Sequence, residues 1–156
     1  MARSWTIRTA TEADLDRLAD VFRRSALSSE GDDDRALLEA HPEALVLDPA
    51  PVRAGRTRVA VDADDQIVGF ASTSPGADWL ELDDLFVVPE HQREGIGRVL
   101  VDDAIATATA AGLDRLEVTG NDGAQGFYER AGFTCVGRVG TPLGPTAGRF
   151  RRPVSP

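Results

Sequence analysis

Leu15, Leu18, Ala19, Phe22 and Ala26 recur at helical spacing, and Thr11 with Asp14 three residues later can cap the helix they define. Trp5 to Arg8 reads as a short strand before it. Pro42, Pro49 and Pro51 interrupt the chain, so residues 42 to 56 are expected to form a loop. From Arg56 the period changes. Thr57 to Val61 and Gln66 to Ser72 are β-rich, and the Asp-Ala-Asp-Asp turn between them predicts a hairpin. A third strand is predicted from Trp79 to Val88, ended by Pro89. A helix follows from Gly95 to Ala110, with Ile96, Val99, Leu100, Ala104 and Ile105 on one face and Gly112 closing it. Arg115 to Thr119 reads as another strand, Asn121 can cap a helix ending at Gly132, and Phe133 to Gly137 is a strand again. A last strand is expected near Gly148 to Arg151. The order is mixed α and β, with no internal repeat.

The 156 residues, 42% apolar and 28% charged, match the size and composition of one globular domain over 1–156. No stretch reads as a signal peptide or a membrane span, so the expected location is cytoplasmic and no membrane partner is expected. The one cysteine, Cys135, can make no internal disulfide, and its apolar neighbours suggest a small buried side chain. The net charge of −9 argues against general affinity for nucleic acid and leans toward a cationic substrate. All seventeen basic residues are arginine. The acidic run Asp32, Asp33 and Asp34 sits where a second helix would begin, and reads as a cap rather than a metal site. No metal is expected.

The stretch Val87-Val88-Pro89-Glu90-His91-Gln92-Arg93-Glu94-Gly95-Ile96-Gly97-Arg98 joins a strand to a helix through a glycine-containing turn. Residues without a β-carbon let the main chain approach an anion, while unpaired N–H groups of the first helical turn point at it. No Lys followed by Ser or Thr closes a P-loop, and no third glycine completes the dinucleotide fingerprint. Gln92-Arg93-Glu94-Gly95-Ile96-Gly97 does resemble the coenzyme A-binding motif of the GNAT superfamily of N-acetyltransferases. Asn121, Ala124, Phe127, Tyr128, Glu129, Arg130, Ala131, Gly132 and Phe133 resemble that family's second signature, in the right order.

The resemblance covers residues 79 to 137 closely. It implies an α/β (α+β) fold with a central mixed, mostly antiparallel sheet, splayed at the cofactor site and flanked by helices on both faces. It implies acetyl-coenzyme A as co-substrate, an amine acceptor as partner, small molecule or protein, and is compatible with a homodimer. By this likeness the main chain of Phe86, Val87 and Val88 would pair with the pantetheine arm, and the amides of Arg93, Glu94, Gly95, Ile96, Gly97 and Arg98, after Gln92, would hold the pyrophosphate. Asn121, Phe127 and Tyr128 would lie along the cofactor, although Asn121 could also simply cap its helix. Val87 would offer the N–H that stabilises the oxyanion, and Tyr128 would serve the leaving thiolate. For the general base, Glu81, Asp83 and Asp84 lie on the strand leading to the loop and Glu117 lies near the end of its neighbour. Glu81 matches the base position of histone-acetylating members. Acceptor pockets in the family form from segments corresponding here to residues 23 to 56 and 138 to 150, which carry no motif. An acyl-coenzyme A-binding module without catalysis is the alternative of the same fold.

Overall fold

The computed structural model describes residues 5–29, 36, 39–142 and 146–155. Seven strands, β1 (Thr6–Thr9), β2 (Thr57–Val61), β3 (Ile67–Pro75), β4 (Trp79–Val87), β5 (Arg115–Gly120), β6 (Thr134–Gly140) and β7 (Thr146–Pro153), hydrogen-bond in the order β1-β2-β3-β4-β5-β7-β6. The helices that can be bounded among the described residues include α1 (Leu15–Ser29), α2 (Ala50–Arg53), α3 (Ile96–Ala110) and α4 (Gln125–Arg130). The paired registers are antiparallel for β1 with β2, β2 with β3, β5 with β7 and β6 with β7, and parallel for β4 with β5. The mixed, mostly antiparallel sheet is therefore present. The chain forms two compact units, Met1–Ser72 with Asp84–Leu100 and Thr73–Asp83 with Val101–Pro156.

In the first unit, the Thr11 main-chain N–H donates to Asp14 Oδ2 at 2.8 Å, and Arg8 holds both Asp14 oxygens, at 2.8 and 3.1 Å. That capping arrangement starts the turn leading into α1, whose apolar stripe buries Leu18 and Val21. The β2–β3 hairpin contributes Val59, Ala60, Ile67, Val68 and Phe70 to the same core. Its one buried polar pair, Thr57 and Ser72, stands in register, and the two hydroxyls bond each other at 2.8 Å, so neither is left unsatisfied. Gly69 sets how closely the elements approach: a Cβ there would lie 2.9 Å from the Phe86 carbonyl oxygen and 3.2 Å from Ile96 Cγ2. The glycine is thus a spacer, required for contact rather than for its dihedral angles.

In the second unit, Leu80 and Leu82 of β4, Leu116 and Val118 of β5 and Phe150 of β7 are buried, as are Val101, Ala104 and Ala108 of α3. The intervening strand residues carry charge. Gly132, at φ +94°, reverses the chain after α4, and the Phe133 N–H then donates to the Tyr128 carbonyl at 2.9 Å.

Three expectations change. Residues 42 to 56 are not loop throughout: Pro42–Leu45 forms a 3₁₀ turn and Ala50–Arg53 a single helical turn. Prolines near the start of each turn fit there because the first helical N–H groups need no partner. Cys135 is exposed, because β6 is the outermost strand of the sheet and most of its side chains meet solvent. Apolar neighbours in sequence did not reveal that edge position. The Asp32 to Asp34 run lies outside the described residues. No helix among those described is long and apolar enough to cross a membrane.

Candidate active site

After β4 the chain makes a 3₁₀ turn, Pro89–His91, and enters α3 at Ile96. Between them Arg93 adopts φ +67° and Gly95 φ +91°. A left-handed arginine is uncommon, and two such residues close together turn the main chain sharply toward the helix start. A Cβ on Gly95 would meet no atom within 4 Å, so its glycine is required by the backbone angle and open space lies over it. Gln92 to Gly95 are exposed, whereas Ile96 and Leu100 are buried and anchor the helix.

The loop is braced on several sides within the first unit. Gln92 Nε2 donates to the Val87 carbonyl at 3.3 Å, and His91 Nδ1 lies 2.7 Å from Glu94 Oε2. Trp5 meets the His91 ring edge-on at 5.7 Å, and Arg24 of α1 pairs with Glu90 at 2.6 Å. Phe86 packs against Phe22 and Phe70 at 4.9 and 5.7 Å. Val88, 1% exposed, donates its N–H to the Val68 carbonyl at 2.9 Å. That donor is therefore committed to β3.

Tyr128, on α4, is 6% exposed. Its ring lies 5.3 Å from Phe127, 5.4 Å from Phe133 and 5.3 Å from Phe150. Room for it comes from Gly120, which pairs with Gly148 across β5 and β7. Burial pushes the phenol up to about 12, so it holds its proton throughout the neutral range. Asn121 caps the turn before α4, its Oδ1 accepting from the Ala124 N–H at 2.9 Å.

The base candidates separate. Glu81 stands in register with Glu117 on the parallel β4–β5 pair. Two adjacent carboxylates would repel, and Arg149 of β7 lies between them. Its Nη1 reaches Glu81 Oε2 at 2.6 Å, and its Nη2 reaches Glu81 Oε1 at 2.5 Å and Glu117 Oε1 at 3.0 Å. Arg115 Nε donates to Glu117 Oε2 at 2.6 Å while its guanidinium lies over Trp79, 5.4 Å from the ring centroid. Trp79 Nε1 donates to Glu81 Oε1 at 3.2 Å. Burial would raise the Glu117 carboxyl, but hydrogen bonds from Arg115 and Arg149 outweigh it and hold the group below its ordinary range. The Glu117 side chain is 8% exposed and that of Glu81 is 24%, so Glu81 is the member water reaches more readily. Asp83 is exposed and Asp84 half-buried.

Sequence reasoning named Glu81 and Glu117 but missed Arg149, Arg115 and Trp79 as their partners. The alternation Arg149, Phe150, Arg151 signals a charged face opposite a buried ring, but which strand Arg149 faces depends on strand order, which local pattern does not reveal.

Residues 15–133 match the acetyltransferase (GNAT) family, and the chain belongs to that family. Streptothricin acetyltransferase from Streptomyces lavendulae is 44% identical over 88 residues, covering 53% of this chain and 46% of that protein. The peptidyl-lysine N-acetyltransferase YjaB from Escherichia coli is 39% identical over 80 residues, 51% of this chain and 50% of the relative. YjaB from Salmonella typhimurium is 32% identical over 132 residues, 85% of each chain. The chain thus spans about half the length of the first two relatives and more of the third. Among solved structures, the PaiA N-acetyltransferase of Thermoplasma acidophilum in complex with coenzyme A superposes with a TM-score of 0.74 at 19% identity, covering 96% of this chain and 99% of that one. At that identity the likeness is one of fold.

Proposed function

We propose that the protein is an N-acetyltransferase that moves an acetyl group from acetyl-coenzyme A to an amine by direct attack on the thioester. The observation that carries this is the loop from Gln92 to Ile96, with left-handed Arg93 and Gly95 opening a helix, in a chain of the GNAT family. Exposed main-chain N–H groups at that helix start suit the coenzyme's pyrophosphate, and the charge there requires no lysine. Relatives named for streptothricin and for peptidyl-lysine support an amine acceptor, small or macromolecular. The net charge of −9 favours a basic one. The reading includes a single catalytic domain, a cytoplasmic location and no metal.

Phe86 and Val87 would supply main-chain groups to the pantetheine arm, and the Val87 N–H would stabilise the oxyanion as the carbonyl becomes tetrahedral. A lysine-like amine is overwhelmingly protonated at neutral pH, with roughly one molecule in a few thousand free to attack. A carboxylate must therefore take its proton, and Glu81 is the candidate most open to water within the buried charge cluster. The nitrogen lone pair then forms the C–N bond, the C–S bond breaks, and the thiolate leaves.

The family signature supports a role for Tyr128 in assisting that departure. A thiol titrates near ~8.5, whereas Tyr128 is pushed up to about 12. The phenol therefore keeps its proton and acts by a charge-assisted hydrogen bond to sulfur, not by full transfer.

Calorimetric titration with acetyl-coenzyme A, with ADP as control, tests the donor. An amine panel read by thiol release tests the transfer. Cys135 is exposed and must be subtracted or replaced in that assay. Binding well above ADP followed by amine-dependent thiol release is the expected result. Binding without release from any amine would leave only an acyl-coenzyme A-binding module, and no binding would refute the donor.

A further inference from the structure

Glu81 Oε1 accepts two hydrogen bonds, from Arg149 Nη2 and Trp79 Nε1, which uses both its lone pairs. Oε2 accepts one, from Arg149 Nη1, so among the described residues its second lone pair has no partner. We infer that Arg149 is the positioning residue for proton removal from the acceptor: its fork, with Trp79, fixes the Glu81 carboxylate so that one defined lone pair of Oε2 faces water. The inference rests on the acetyl-transfer reading and assigns within it a role that neither the signature motifs nor the strand pattern suggested.

The fork does more than balance charge. Arg149 also donates to Glu117 Oε1 at 3.0 Å and to Thr119 Oγ1 at 3.0 Å, so the guanidinium is itself held on three sides. Arg115 is anchored on Asp78 Oδ1 at 3.1 Å and on Glu117, and Arg151 lies 3.5 Å from Glu117 Oε2. Glu117 thus supports the arginine, and the arginine orients Glu81. A bidentate pair restricts a carboxylate far more than a point charge does, because two parallel bonds fix its plane. In the step itself, a water at Oε2 gives a proton to the carboxylate and takes one from the acceptor ammonium. The N–H bonding pair stays on nitrogen, water is regenerated, and Glu81 holds the proton until solvent removes it.

The test compares Arg149→Met with the double variant Glu117→Gln/Arg149→Met, each measured for melting temperature, KM for acetyl-coenzyme A, and kcat with an amine that the wild type acetylates. In the single variant kcat should fall by about 10²-fold with KM for acetyl-coenzyme A unchanged. The double variant removes the repulsion between Glu81 and Glu117 and should regain melting temperature without regaining kcat, since no fork is present. It also keeps the question open to measurement where the single variant does not fold. Recovery of kcat together with stability would reduce Arg149 to a charge balance and overturn the inference. An unchanged kcat in Arg149→Met would do the same while leaving acetyl transfer intact. A wild type that binds acetyl-coenzyme A but acetylates no amine would instead overturn the acetyl-transfer reading, and this inference with it.

Discussion

Gly120 lies against the ring of Tyr128 so closely that a Cβ on the glycine would stand 2.6 Å from Tyr128 Cε2. Its partner across the strands, Gly148, does the same for Phe150, where a Cβ would lie 2.7 Å from Cε2. The two rings occupy space that paired side chains would otherwise fill. Gly120→Ala should therefore displace Tyr128, destabilise the fold by about 1–3 kcal/mol through overpacking, and lower kcat by roughly tenfold while leaving the dissociation constant for acetyl-coenzyme A unchanged. Thermal melting and steady-state kinetics measure the two effects. A kcat equal to wild type would separate the ring's position from turnover.

Tyr128 also predicts an alkaline signature. Its folded value, about 12, lies above the ordinary 10.0, so the stability it contributes is fully present below pH 10 and is lost as pH rises through 12. Two units correspond to about 3 kcal/mol. Denaturant melts between pH 9 and 12 should show that loss in the wild type, and its absence in Tyr128→Phe. The same variant should lower kcat by about 10²-fold with acetyl-coenzyme A affinity retained.

Gly95 separates strain from charge. Because open space lies over its Cα, Gly95→Ala meets no atom and bears only the penalty of a positive φ, about 1–2 kcal/mol. Gly95→Asp adds a negative charge to the proposed phosphate seat. Calorimetry should find acetyl-coenzyme A binding weakened in the first and abolished in the second. Equal affinities would move the cradle elsewhere.

Asp14 should report on acid stability. The Arg8 guanidinium holds its carboxyl below the ordinary value, against an opposing effect of burial and with help from the Thr11 N–H. A depressed folded value means the contribution is present above the unfolded value, near ~4, and is lost as pH falls through the lower folded one. Asp14→Asn should cost about 1 kcal/mol at neutral pH and flatten the acid limb of a stability-against-pH curve. An unaltered limb would assign that limb to another carboxylate.

Local pattern made much of this molecule legible. Thr11 and Asp14 announced their cap, the Asp62 to Asp65 turn announced its hairpin, and Gly95 and Gly97 marked the strand-to-helix junction, because each depends on neighbours in sequence. The pairing of Glu81 with Glu117 needed the parallel placement of β4 beside β5, and Arg149 needed β7 beside β5. Those are long-range facts that no spacing encodes. Cys135 misled for the same reason: Phe133 to Val136 has the composition of an inner strand, and only the strand order puts it at the edge. The need for glycine at 69 and 120 arises from neighbours distant in sequence, so neither position stands out from a turn glycine.

The three cations gathered around Glu117 are all guanidinium groups, from Arg115, Arg149 and Arg151. A lysine at any of these places would supply the same charge and, in its deprotonated fraction, a nucleophile. Guanidinium stays protonated and has no free lone pair to offer a thioester. Toward a thioester donor of the kind proposed, the charged face around Glu117 is thereby chemically inert.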